Sequence, residues 1–123
     1  MVVDTSVILA SFFNQEHFFW AASKLQEYKT ELRMCTVNLC ETHILIRDKQ
    51  PQLFEDLKKR LETSPIRFVP PSVEQSELAA KARMQFPLNL GDCFAYSLAK
   101  SENCPILTLD KDFKKTDLEV IIP

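Results

Sequence analysis

Val2-Val3-Asp4-Thr5-Ser6 opens the chain with two β-branched residues that run straight into an acid. Side chains of that shape suit a pleated, buried surface, so the stretch predicts a short strand that delivers Asp4 at its carboxyl end. In open α/β sheets that is the edge where ligands bind. Thr5 and Ser6 are each able to cap a helix whose apolar residues begin at Val7, Ile8 and Leu9. Taken alone, Asp4 would read as one more capping group. The rest of the chain changes that reading.

Two more stretches repeat the theme. Pro105-Ile106-Leu107-Thr108-Leu109-Asp110 is again a strand that ends in an acid, and Leu90-Gly91-Asp92 sets the only glycine before an acid that opens an apolar helix. Glu41 falls in the expected first turn of a helix holding Leu39, Ile44, Leu45 and Ile46, which follows a strand over Leu32–Thr36 and takes Thr36 or Asn38 as its cap. Elsewhere the periodicity predicts helices over Val7–Phe13, Glu16–Lys29, Pro51–Leu61 and Val73–Met84, the last capped by Ser72, and strands over Ile66–Val69 and Val120–Ile122. Strands alternating with helices predict an α/β fold with a central parallel sheet of four to five strands, covered on both faces. No repeat, linker or low-complexity segment interrupts the chain, so a single domain over residues 1–123 is expected.

Composition narrows the partners. At 123 residues, 46% hydrophobic and 26% charged, the chain has the make-up of a globular domain with one core. It has no membrane-length apolar run and no basic segment leading an apolar one, so a cytoplasmic protein is the expectation. Fifteen Lys and Arg against seventeen Asp and Glu leave a net charge of −2. A protein that grips nucleic acid by phosphate neutralisation alone carries a basic excess, so here a local patch or bound cations must supply the positive field. Cys35, Cys40, Cys93 and Cys104 contain no C-x-x-C and have only His17 and His43 for company. Neither zinc nor disulfides are expected, and all four read as buried small hydrophobes. Phe12, Phe13, Phe18, Phe19 and Trp20 form a dense aromatic run, which core packing explains in most part, although five large rings on two helices also suggest a partner.

In a parallel sheet, strand carboxyl ends and the starts of the following helices share one edge, so Asp4, Glu41, Asp92 and Asp110 are expected on one rim. An order switch between the first and fourth strands would set Asp4 and Asp110 on either side of the crevice. Carboxylates gathered there repel one another unless a divalent cation intervenes, and an all-oxygen ligand set suits Mg²⁺ or Mn²⁺. The chemistry that follows is phosphodiester hydrolysis by activated water. The chain has no G-x-S-x-G and no P-loop, which disfavours triad hydrolases and nucleotide kinases. A receiver-like phosphorylation switch wants an adjacent acid pair after the first strand, whereas this chain has Asp4-Thr5.

Val2-Val3-Asp4-Thr5-Ser6-Val7, Thr36 followed by Glu41, Leu90-Gly91-Asp92, and Leu107-Thr108-Leu109-Asp110-Lys111-Asp112-Phe113 resemble, in order, the motifs of PIN-domain ribonucleases, and most of all the VapC toxins of toxin–antitoxin pairs. The resemblance spans essentially the whole chain. It implies a flavodoxin-like three-layer α/β/α sandwich and a Mg²⁺- or Mn²⁺-dependent endoribonuclease. Asp4, Glu41, Asp92 and Asp110 would be the catalytic, metal-holding quartet, Asp112 an accessory acid, and Thr5, Ser6 and Thr108 supporting polar groups. It further implies an RNA substrate, homodimerisation, and an antitoxin docking near Phe12, Phe13, Phe18, Phe19 and Trp20. The alternative is a PIN-like module that binds RNA or protein without cutting. Two departures stand out: Cys93 follows the third acid where alanine is usual, and basic residues near the motifs are few beyond Lys100, Lys111, Lys114 and Lys115.

Overall fold

The computed structural model describes residues 1–123. Five short strands, β1 (Val2–Val3), β2 (Arg33–Cys35), β3 (Arg67–Val69), β4 (Ile106–Leu107) and β5 (Val120–Ile121), form one sheet in the order β3-β2-β1-β4-β5. Every pairing is parallel, with Val2 opposite both Arg33 and Ile106, and Val3 opposite Leu107. Six helices connect them: α1 (Thr5–Phe12), α2 (Phe18–Glu27), α3 (Thr36–Lys49), α4 (Phe54–Thr63), α5 (Val73–Gln85) and α6 (Leu90–Ser101). No helix is long and apolar enough to cross a membrane.

Strand alternation builds two cores. Successive side chains of a strand point to opposite faces, so Val3, Met34 and Leu107 meet Val7, Ile8 and Leu9 of α1 together with Ile46, Phe54, Leu57 and Leu61. Val2, Cys35 and Ile106 face the other way, onto Ala79 and Ala82 of α5 and Cys93, Ala95, Leu98 and Ala99 of α6. Helices therefore cover both faces of the sheet, giving the expected α/β/α sandwich. β1 lies at its centre with both valines fully buried.

Several local expectations need correcting. Thr5 and Ser6 lie inside α1, and the N-cap position belongs to Asp4, whose side chain makes no capping bond. Likewise α3 starts at Thr36 after Cys35, without a side-chain cap, so neither Thr36 nor Asn38 serves as one. Glu41 is then the sixth residue of α3, beyond the first turn, and helix capping does not account for it. The segment after Pro51 begins as a 3₁₀ turn, Pro51–Leu53, before α4 proper. α2 is shorter than its apolar pattern because the chain enters it through His17 in the left-handed region, φ 69°. Only Cys35 and Cys93 are buried, whereas Cys104 is half-buried and Cys40 exposed.

The helices nearest the acids are well anchored. Ser72 Oγ accepts from Gln75 N at 3.1 Å and the Gln75 side chain accepts from Ser72 N, a reciprocal cap that starts α5. Asn89 Oδ1 accepts from Asp92 N at 2.8 Å and starts α6. α6 is nearly all buried between Asp92 and Ala99, and Ser97 donates to the Gln75 carbonyl of α5 at 2.6 Å.

Candidate active site

The strand order reverses between β1 and β4, and the carboxyl ends of these two strands form the crevice that such a reversal opens. Asp4 lies at the end of β1 and is 3% exposed. Ser6 Oγ and Thr108 Oγ1 both donate to its Oδ2 at 2.8 Å, which leaves Oδ1 without a hydrogen bond. The same two hydroxyls tie β1 to the loop after β4: Leu109 N donates to Ser6 Oγ at 3.0 Å and Asp110 N to Thr108 Oγ1 at 2.9 Å. Asp110 begins the 3₁₀ turn Lys111–Lys115, where its Oδ1 accepts from Asp112 N at 2.9 Å. Asp112 itself reaches Lys115 at 3.4 Å.

Asp92, in the first turn of α6, is buried but for 7% of its surface. Burial, then repulsion from Asp4 and Asp110, pushes its carboxyl up to about 7, with Glu41 adding to the effect. Asp4 is raised as well, again by burial first, against the two hydroxyl bonds that favour its charged form, and with Glu41 and Asp110 contributing repulsion. Glu41 lies against Gly91. A β-carbon built there would sit 2.5 Å from Glu41 Oε2 and 3.0 Å from its Cδ, so glycine is what lets α6 approach that carboxylate.

The four predicted acids thus share one rim and influence one another electrically. None of them takes part in an ion pair with a lysine or arginine. Their oxygen atoms, however, are not drawn together: no three Asp, Glu, His or Cys side chains form a group able to hold a metal. Asp110 Oδ1 is turned to Asp112 N, and Glu41 lies over Gly91. The donor chemistry still fits a hard divalent cation, because the groups are all carboxylates without a lysine or arginine partner.

Of the supporting residues, Ser6 and Thr108 touch Asp4, whereas Thr5 donates to the Asn38 carbonyl at 3.2 Å and Thr42 Oγ1 lies 3.3 Å from Thr5 Oγ1. Sequence reasoning missed Asn38, Thr42 and Asn89 as parts of this region. The signal was present for two of them: Asn38, Thr42 and Ile46 recur every fourth residue and all three are fully buried, so polar residues continue an apolar stripe. Two of the lysines near the motifs are engaged, Lys100 with Asp117 at 2.9 Å and Lys115 with Asp112, while Lys111 and Lys114 stay exposed.

The aromatic run divides. Phe12, Phe13 and Trp20 pack against the core, while Phe19 is 84% exposed. Phe12 and Phe18 also line a groove of about 410 Å³ beside Ile8, Leu25, Arg60 and Ile66, away from the acids.

Comparison with known proteins agrees with this architecture. A family model described as the PIN domain matches residues 1–119. The chain is 28% identical over 131 aligned positions to the VapC ribonuclease Mb0640 of Mycobacterium bovis, covering 98% of both proteins. Among solved structures it superposes on Mycobacterium tuberculosis VapC20, a sarcin–ricin loop cleaving toxin, with a TM-score of 0.82 at 15% identity, covering 99% of this chain and 98% of that one. A toxin–antitoxin complex from Klebsiella pneumoniae aligns with a TM-score of 0.78 at 18% identity, covering 99% and 96%. With a family model spanning nearly the whole sequence and a ribonuclease relative aligned from end to end, the chain belongs to the PIN-domain family.

Proposed function

We propose that this chain, as a single PIN-like domain, is an endoribonuclease that hydrolyses RNA phosphodiester bonds with Mg²⁺ or Mn²⁺ held by Asp4, Glu41, Asp92 and Asp110. The observation that carries the reading is the accumulation of unpaired carboxylates at the sheet's reversal point, with Asp92 raised to about 7 and Asp4 raised beside it. A protein gains nothing in stability from such an arrangement without a cation. A divalent ion there would counter charge on the phosphate and lower the pKa of the attacking water.

The residues have separable tasks. Ser6 and Thr108 fix Asp4 by binding Oδ2, so that Oδ1 remains available. Asp92, whose carboxyl is raised to about 7 without metal, would give up its proton as a divalent ion binds. Asp110 ties the rim to the turn that carries the exposed Lys111 and Lys114, which are placed to meet substrate phosphates. Asp112, paired with Lys115, serves as an accessory acid.

The VapC relative and the toxin–antitoxin neighbour support a toxin role with an antitoxin as partner; a homodimer and a cytoplasmic location complete the proposal. The docking face for that antitoxin is the groove lined by Phe12 and Phe18, together with the exposed Phe19, whose ring meets that of Phe18 edge-on. Cleavage of assorted RNAs by purified protein, with Mn²⁺ or with EDTA, tests the activity. Cutting by the wild type in Mn²⁺ alone, lost in Asp4→Asn, is the expected result. Cutting that survives the substitution would betray a contaminant, and RNA binding without cutting would favour a non-cleaving module.

A further inference from the structure

Behind the acids lies a polar network that joins three of their chain neighbours through Asn38. Thr5 follows Asp4, Thr42 follows Glu41, and Gly91 precedes Asp92. Asn38 joins the three. Its side-chain Nδ2 donates to the Gly91 carbonyl at 2.9 Å, and its own carbonyl accepts from Thr5 Oγ1 at 3.2 Å and Thr42 Oγ1 at 2.8 Å. Exchanging the amide nitrogen and oxygen would set two acceptors face to face at Gly91, so the orientation is fixed.

Stability alone gives no reason for this amide. Asn38 is fully buried, and its Oδ1 is the one buried side-chain nitrogen or oxygen in the chain without a hydrogen-bond partner. An orphaned acceptor of that kind carries a desolvation cost, which a leucine of similar volume would avoid. Asn38 also sits one helical turn before Glu41, with Thr42 and Ile46 stacked beyond it on the same buried stripe of α3. The side chain thus ties α3 to α6, the helices that carry Glu41 and Asp92, while the main-chain carbonyl, which any residue would supply, meets Thr5 of α1.

We infer that Asn38 is a positioning residue for the acid cluster: the hydrogen bond from its side-chain amide to the Gly91 carbonyl holds α6 against α3, and so sets the spacing of Asp92 and Glu41 and the chain's grip on a divalent ion. The inference rests on the metal-dependent reading of the site. Groups that orient metal ligands change metal affinity or activity by about 10- to 100-fold when removed, and Asn38 acts at this range.

The test uses the full chain with Asn38→Leu, and with Asn38→Ser as the smaller change should leucine prevent folding. Ser72→Ala, which loses the cap of α5 and nothing in the network, is the control for lowered stability. Mn²⁺ affinity is measured by calorimetry, and RNA cleavage is resolved into kcat and KM. The expected result is Mn²⁺ binding weakened by at least about tenfold in a folded Asn38 variant, with kcat falling by a similar factor, KM for RNA nearly unchanged, and wild-type affinity in Ser72→Ala. An Asn38 variant that melts lower yet binds Mn²⁺ as wild type does would overturn the inference and leave Asn38 a structural cross-link. Wild-type protein that binds no Mn²⁺ would overturn the metal-dependent reading, and this inference with it.

Discussion

Asp92 and Gly91 sit side by side, and substitutions at the two positions should both cost cleavage, by different physics. The Asp92 carboxyl is held protonated in the folded chain up to about pH 7, whereas unfolded it ionises near its ordinary 3.8. Between those values the native state binds the extra proton, so metal-free stability falls as pH rises, and the penalty is complete above neutrality. Asp92→Asn removes that penalty. In EDTA the variant should therefore match wild type near pH 4 and exceed it by on the order of 1–2 kcal/mol at pH 8, while RNA cleavage is lost. A variant that denatures more easily than wild type at pH 8 in EDTA would contradict the reading.

Gly91→Ala should leave the fold standing, because the backbone there has no positive φ and alanine favours helix by up to about 1 kcal/mol. The new methyl displaces the Glu41 carboxylate, which it would meet at 2.5 Å. Cleavage should drop by about tenfold or more, since small misplacements of reacting groups cost rates of that order, with melting nearly unchanged. Asp4, Asp92 and Asp110 were legible as a group in sequence, because each follows a strand or opens a helix, whereas Glu41 lies one turn deeper in α3 than its pattern suggested. Asn38 reads as a cap, although its four-residue spacing from Thr42 and Ile46 already sets it on the stripe that the fold buries.

At the scale of elements, the aromatic run is where a pattern of residues leaves two readings open and exposure separates them. Phe19→Ala should change stability by less than about 0.5 kcal/mol yet weaken partner binding, because its ring is 84% exposed. Trp20→Ala should instead destabilise by about 2 kcal/mol, since its ring packs on the α1–α4 core. Chemical denaturation of both variants checks the pair. Helix boundaries were legible where a side chain truly caps, as at Ser72, whose replacement by alanine should cost about 1 kcal/mol without touching cleavage. They were misread at Thr5, Thr36 and Asn38, where α1 and α3 start without a side-chain cap and the Thr5 hydroxyl and Asn38 amide serve tertiary contacts instead.

For the molecule as a whole, the parallel sheet and its two helical layers follow from the alternation of strands and helices, and from Val2 and Val3 facing opposite cores. The position of the reversal between β1 and β4 depends on a pairing between residues about a hundred positions apart, which local patterns do not encode. That pairing brings Thr108 to Asp4 and thereby makes the crevice. The central claim is that these carboxylates hold a divalent ion in common. Calorimetric titration of Mn²⁺ into wild type and Asp4→Asn at pH 7.5 tests it most directly. Saturable binding by the wild type that is abolished in the variant is the predicted outcome, and equal binding by both proteins, or none by the wild type, would contradict it.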